Sequence, residues 1–291
     1  MNKKPIYNRI EKLNNHGIEQ GVVPRFILQI SEMQNNTFIF KTEEERNQKV
    51  GLYTNIIVNH LCPLYDLYQE ILFLNSDYKE NVLNGSYISI DERGIITTDR
   101  IIEEKIKNSI KVFFINGKIL INTWADSHVV DDGLFCLSKL LFVKDKDFRK
   151  QKETYNTQDS KDRKYSYIFE IIENARNMFL KQFTNIRNDI EHHNFIIPNY
   201  LLNIENGIII FEEPTLEGKR LVQLVGFYYN YICELIELVM VYYYGINSYC
   251  NSYGLLCTYE TNEYDYKALK YRFFIKPRQQ ENSELQLIIG N

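Results

Sequence analysis

Two long stretches of the sequence carry apolar residues at the three- and four-residue spacing of an α-helix, over residues 165–195 and 217–244. Pro198 follows the first stretch, and Gly245 marks the end of the second. A helix with one apolar face must bury that face against another element. Two such helices, one after the other in the sequence, are expected to pack as an antiparallel pair. The periodicity therefore predicts a mainly α fold, a helical bundle with a few short strands.

The N-terminal half shows further helical segments. Thr42, followed by three glutamates, is a capping-box signature that predicts the start of a helix. Pro63 then predicts a kink or a boundary between two helices. Another helix is predicted over 99–114, ending before the turn signal at Gly117, and a further one over 131–142. Short strands are predicted near residues 87–90, 208–211 and 271–275.

Residues 144–164 are almost wholly charged and polar. Such a segment buries too little apolar surface to offset its ordering entropy, so it is predicted to be a long, mobile polar loop. The chain then divides into a helical part at 1–143, the loop at 144–164, a helix pair at 165–245 and a C-terminal extension at 246–291. The loop is also the most basic segment. This makes it a candidate for contact with a phosphate backbone, although a solvated loop is the simpler interpretation.

Composition excludes several classes of protein. The 34 basic and 38 acidic residues give a formal net charge of −4, so any nucleic-acid contact needs a local basic patch. Five scattered cysteines without a CxxC pair predict no zinc site and a reducing compartment. No stretch of about 18 apolar residues predicts a membrane span, and no secretory signal is recognisable at the N-terminus. We expect a cytoplasmic protein without a metal or another cofactor.

The segment from Ile186 to His193 reads Ile-Arg-Asn-Asp-Ile-Glu-His-His and lies late in the first long helix. Asn188 and His192 are four residues apart and share a helix face, and Arg187 flanks that face. Histidine titrates in the range needed for proton transfer. Arginine offers a planar fork to phosphate oxygens. These are the groups that metal-free RNA cleavage requires: a base, an acid and a cation at the phosphorane.

This segment resembles the motif of the HEPN (higher eukaryotes and prokaryotes nucleotide-binding) superfamily, whose ribonuclease members carry an Arg, a polar residue and then a His. Arg187-Asn188 with His192 fits the four-residue gap, and His193 fits the five-residue gap. The resemblance implies a HEPN-like bundle and a metal-independent endoribonuclease. It further implies a homodimer with a composite active site, acting on RNA to leave a 2′,3′-cyclic phosphate.

By the same resemblance, His192 is the general base or acid, Arg187 binds the phosphate, and Asn188 orients Arg187 or the phosphate. His193 is the alternative histidine. Prokaryotic proteins of this kind serve as toxins or in phage defence, so a neutralising protein partner is also implied.

Two other interpretations stay open. In the first, the chain is a non-catalytic HEPN module that binds nucleotide or a protein partner; in the second, it is a helical structural protein in which the motif is accidental. Within the motif itself, Arg187 and Glu191 would then form an ordinary intrahelical ion pair. His192 and His193 would be cationic partners of the helix C-terminus.

Overall fold

The computed structural model describes residues 42–98, 100–127, 137–157, 166–193, 195–246, 255–257 and 274–276. The helices are α1 (Glu43–Ile56), α2 (Cys62–Leu83), α3 (Arg100–Asp126), α4 (Ser138–Leu141), α5 (Asp145–Thr157), α6 (Ser166–Ala175), α7 (Lys181–His192) and α8 (Leu221–Ile246). The strands are β1 (Ile88–Ile90), β2 (Ile96–Thr98), β3 (Leu201–Glu205), β4 (Ile208–Glu212), β5 (Thr215–Leu216), β6 (Lys219–Arg220), β7 (Leu255–Cys257) and β8 (Phe274–Lys276). The predicted mainly α fold is confirmed. None of the described helices has both the length and the apolar content needed to cross a bilayer.

The helix start predicted at Thr42 is confirmed, since its hydroxyl oxygen accepts a hydrogen bond from the Glu45 N–H at 3.1 Å. The predicted break is also present. A π-helical turn, Ile57–Leu61, separates α1 from α2, and Pro63 lies in the first turn of α2. Proline has no N–H to donate to the preceding turn, and the irregular π-helical turn lies where that hydrogen bond would otherwise form.

Helix α3 is longer than predicted, because it continues through Gly117 to Asp126. A Cβ at Gly117 would lie 2.8 Å from Cζ of Phe183 in α7 and 3.4 Å from Cδ1 of Ile232 in α8. The glycine therefore marks a close helix–helix contact, where the sequence pattern predicted a turn. Through this approach α3 packs against α7 and α8 as well as α1 and α2, and it forms the centre of the bundle.

An aromatic cluster fills the space beside Gly117. The rings of Phe114, Phe183 and Tyr228 are fully buried, and their centroids lie 5.2 to 5.4 Å apart. Two of the three pairs meet edge to face, an arrangement that aromatic rings prefer to direct stacking. These contacts join α3, α7 and α8.

The prediction of a loop over residues 144–164 is wrong for most of that segment, which forms helix α5. Phe148 and Tyr155 lie two turns apart on one side of α5, and both are buried. Their rings pack on Phe169 of α6 at centroid distances of 6.2 and 5.1 Å. Two large aromatic anchors thus supply the burial that the segment's polar composition concealed. Residues 158–165 lie outside the described part of the chain.

Arg176 holds the segment between α4 and α5 against the helix pair. It lies in the π-helical turn Arg176–Leu180 between α6 and α7 and is 4% exposed. Its guanidinium donates to the carbonyl oxygens of Leu140, Leu141 and Val143 and pairs with the Asp145 carboxylate at 2.9 Å. A buried charge is tolerated when its donors are satisfied in this way. Of the helix predicted over 131–142, only α4 lies within the described residues.

The strands form two-stranded antiparallel ribbons beside the bundle. The hairpin predicted near residues 87–90 is the β1–β2 pair, and the strand predicted at 208–211 lies within β4, paired with β3. Asn206 and Gly207 connect β3 to β4 with positive φ angles of 53° and 78°, as a tight two-residue hairpin turn requires. The C-terminal strand prediction overlaps β8, which pairs with β7.

Replacing Gly117 by alanine tests the α3–α7 contact. Helix propensity alone favours alanine over glycine by about 1 kcal/mol, but overpacking a filled core costs about 1–3 kcal/mol. We expect Gly117→Ala to lower the free energy of unfolding, measured by urea denaturation. The control is Gly51→Ala in α1, where the added Cβ meets no atom within 4 Å. It should raise that free energy, and equal stabilisation by both changes would contradict the close contact.

Replacing Arg176 by methionine should leave the Leu140, Leu141 and Val143 carbonyls without their donor. An unsatisfied buried polar group costs roughly 1–3 kcal/mol, so the urea midpoint should fall clearly. Lys181→Met removes the other cation beside Asp145, but that lysine is 43% exposed. Because exposed ion pairs contribute little, this control should change the midpoint only slightly, and a comparable loss in both variants would argue against the role of Arg176.

Candidate active site at the end of helix α7

Helix α7 presents the motif at the edge of the bundle. Its buried residues, Phe183 and Ile186, are three positions apart and face the core, and the half-buried Ile190 continues that side. Arg187 and Asn188 lie beside this apolar stripe and are half-buried. The same helical periodicity that anchors α7 therefore places the polar motif residues on a rim, between core and solvent.

Arg187 is held by its own helix. Its Nη1 donates to Oδ1 of Asn188 at 3.1 Å, and its Nη2 pairs with Oε2 of Glu191 at 2.7 Å. The Arg187 side chain is 24% exposed, and its buried Nε has no hydrogen-bond partner. The guanidinium is thus fixed in position while one of its donors stays unsatisfied, an uncommon condition for a buried N–H.

The two histidines lie where α7 ends. The His192 side chain is 63% exposed, and its Nε2 is 3.7 Å from Oε2 of Glu191. His193 is the C-cap residue, and its backbone N–H donates to the Asp189 carbonyl at 3.0 Å. The imidazole centroids are 6.4 Å apart.

Glu191 links the arginine to the histidine, and the sequence analysis gave it no catalytic role. One of its oxygens lies within ion-pair distance of both Arg187 and His192. Its spacing of four residues from Arg187 was a readable signal for an intrahelical pair. The Arg187–Glu191 ion pair is present. Such a pair is expected on an ordinary charged helix face, and here it lies next to the residues proposed for an active site.

Lys118 of α3 is the residue that sequence analysis missed. Its side chain is 9% exposed, and its Nζ lies over the ring of Phe142. Burial and, second, the positive charge of Arg187 lower the pKa of Lys118 from its usual value near 10.5 to about 7. Lys118 and Arg187 are 69 positions apart in sequence, and no local pattern connects them.

The other sequence candidates are structural or lie outside the described residues. Tyrosine side chains can stack on nucleic-acid bases, but Tyr228 and Tyr229 are fully buried in the core, as is Trp124. His128 lies outside the described part of the chain. In the basic segment, Lys152 of α5 is engaged by Glu173 at 2.7 Å. Among the described residues, no cluster of His, Cys, Asp or Glu has the makings of a metal site.

Comparison of the chain with protein-family models, with curated proteins and with solved structures finds no match. Helix α7 supplies a fixed guanidinium and, at its end, two histidines, whereas the buried amine of Lys118 comes from α3.

The lowered pKa of Lys118 predicts a pH-dependent effect on stability. Below about pH 7 the buried amine is charged, and the folded state bears the full penalty. As pH rises from about 7 towards 10.5, the folded protein loses this proton before the unfolded chain does, and the penalty fades. We expect Lys118→Met to stabilise the protein more at about pH 6.5 than at about pH 9.

Urea denaturation at the two pH values measures this difference against wild type. Lys105→Met is the matched control, because Lys105 lies on the same helix, is 55% exposed and faces Glu70. Its effect should vary little between the two pH values. A pH-independent effect of Lys118→Met would show that Lys118 keeps its usual titration behaviour.

Proposed function

We propose that this protein is a metal-independent endoribonuclease of the HEPN kind, acting as a homodimer with a composite active site. The observation that carries the proposal is the arrangement at the end of α7. Arg187 is fixed by Asn188 and Glu191, and His192 follows one turn later with most of its imidazole exposed. A phosphate-binding fork thus lies beside a group suited to proton transfer.

The proposed reaction begins when a histidine removes the proton from a ribose 2′-hydroxyl. The 2′-oxygen then attacks the adjacent phosphorus, the bond from phosphorus to the 5′-oxygen breaks, and an acid gives that oxygen a proton. Arg187 stabilises the negative charge that develops on the phosphorane oxygens. The products are a 2′,3′-cyclic phosphate and a free 5′-hydroxyl.

Two proton-transfer groups are needed, and this requirement supports the homodimer. The recorded polar and ring contacts of His192 within the described residues come from Glu191 and His193, its neighbours in sequence. The site is therefore open on one side. A second copy of the chain facing this opening would supply the second histidine and the second arginine.

Glu191 has a defined part in this proposal. In the RNA-free protein its carboxylate occupies Nη2 of Arg187, and an incoming phosphate oxygen would replace it there. The released carboxylate lies near His192 Nε2 and would stabilise the protonated imidazole. Asn188 keeps the guanidinium oriented through Nη1 while this exchange takes place.

The alternative is a non-catalytic HEPN module that binds nucleotide or a protein partner. The Arg187–Glu191 ion pair favours it, because such pairs are common on helix surfaces without any function. Service as a toxin or in phage defence, with a neutralising protein partner, belongs to the ribonuclease proposal and is tested after activity itself.

Cleavage of a mixed, end-labelled RNA in the presence of EDTA tests the proposal. We expect wild type to cut and to leave a 2′,3′-cyclic phosphate. His192→Ala should lower the rate about 10²–10⁴-fold, the usual contribution of general acid–base catalysis, with an unchanged circular dichroism spectrum. His193→Ala, measured in parallel, identifies the working histidine.

His60→Ala is the control variant. His60 is half-buried in the π-helical turn before α2, and its loss should leave the cleavage rate unchanged. Absence of cleavage by a folded wild-type dimer would contradict the ribonuclease proposal and favour the binding module.

A further inference from the structure

The cations buried in this bundle show what a purely structural positive charge looks like here. Lys107 of α3 is 6% exposed, pairs with Glu103 at 2.6 Å and donates to the Asn199 side chain. Arg176 is 4% exposed and is satisfied by three carbonyls and a carboxylate. Each of these charges is compensated, as the desolvation of a buried cation requires.

Lys118 differs from both. Its side chain is 9% exposed, yet within the described residues it has neither a carboxylate partner nor a hydrogen-bond acceptor. Beside α4 its Nζ lies over the ring of Phe142, and from α7 the charged group that acts on it is Arg187, whose guanidinium pairs with Glu191. The charge that acts on this buried amine is therefore of its own sign.

Arg187 is incompletely satisfied in the same place, because its buried Nε has no acceptor. The close contact between Gly117 and Phe183 brings α3 and α7 together one residue before Lys118 and one turn before Arg187. The two cations therefore lie on facing helices near the same contact, and the charge of Arg187 acts on the Lys118 amine. Like charges repel strongly where water is partly excluded. An anion between them would reverse that repulsion and supply acceptors to both groups.

We propose that Lys118 and Arg187 together form an oxyanion site for the phosphodiester of an RNA chain, with Lys118 as a phosphate-binding residue. The RNA identity of the ligand rests on the proposed function, whereas the two-cation site rests on the geometry. Arg187 presents a planar fork and Lys118 a point charge, and the two address different non-bridging oxygens of one phosphate. Because the free site is electrostatically unfavourable, ligand binding and protonation of Lys118 are coupled.

The test uses the full chain and a short, fluorescein-labelled 2′-O-methyl oligonucleotide. The blocked 2′-hydroxyl prevents cleavage, and the charge of a phosphodiester stays constant near neutral pH. Affinity is measured by fluorescence anisotropy at about pH 6. We expect Lys118→Met to bind roughly tenfold or more weakly than wild type, the effect of one lost charge-assisted contact. Lys118→Arg, which keeps the charge, should bind far better than Lys118→Met.

Lys105→Met again serves as the control for removing one positive charge from α3. It should bind almost as tightly as wild type, because Lys105 lies on an exposed side of the helix and faces Glu70. Equal losses of affinity in Lys105→Met and Lys118→Met would mean that only the net charge of the protein matters, and this result would overturn the proposal. So would undetectable binding by wild type.

The second measurement follows Lys118 directly, by NMR of selectively labelled lysine side chains with the signal assigned from its loss in Lys118→Met. In the free protein this signal should titrate near pH 7. Saturation with the oligonucleotide should raise the pKa of Lys118 by about one unit or more, because the neighbouring anion favours the charged amine. A merely structural lysine would keep its titration, and an unchanged signal in the complex would overturn the proposal.

These outcomes separate the oxyanion site from the proposed ribonuclease activity. Oligonucleotide binding through Lys118 without any RNA cleavage would support the oxyanion site and contradict the ribonuclease. RNA cleavage that depends on His192 but not on Lys118 would support the ribonuclease and contradict the oxyanion site.

Discussion

The contact of Gly117 in α3 with the Phe183 ring in α7 sets the distance between two helices on which the rest of the bundle depends. Any side chain larger than hydrogen at position 117 would meet that ring at 2.8 Å, so the helices would have to move apart. Phe183 also joins Phe114 and Tyr228 in the central aromatic cluster. The close approach therefore positions α8 as well, and it brings α3 and α7 together one residue before Lys118 and one turn before Arg187. Core packing and the candidate site share one structural cause.

Buried charge is handled in two ways in this fold. Lys107 and Arg176 are compensated by carboxylates, carbonyls and an amide, so they hold segments of the chain together. Lys118 has no carboxylate partner within the described residues, and the charge that acts on it is that of Arg187, which itself pairs with Glu191. Repulsion of this kind lowers the stability of the free protein. Sites that bind a charged ligand commonly accept such a loss, because the ligand restores the missing compensation.

The exposed end of α7 carries two histidines, which follow the Arg187–Glu191 ion pair on the same helix. His192 and His193 extend from the last turn into solvent, and Glu191 lies between His192 and Arg187. The Glu191 carboxylate contacts both Arg187 and His192 on the same helix, so losing its contact with one partner alters its interaction with the other. In the proposed reaction a phosphate replaces Glu191 at Arg187, so Glu191 would connect phosphate binding at Arg187 with His192.

The sequence by itself determined what depends on neighbours along the chain. The Thr42 cap, the break at Pro63 and the apolar faces of α7 and α8 follow from short-range spacing, and so does the Arg187–Glu191 pair, four residues apart on one helix. Only the tertiary structure decided the course of α3 through Gly117, the ordering of α5 and the place of Lys118. The sequence around Gly117 is typical of a turn, and only the structure shows that Phe183 and Ile232 pack against this glycine. The α5 segment is polar in sequence, and only the structure shows that Phe148 and Tyr155 pack on Phe169. Lys118 and Arg187 are 69 positions apart in the sequence. Contacts between residues so far apart leave no periodic trace in the sequence, because they depend on how whole helices pack and not on the spacing within any one of them.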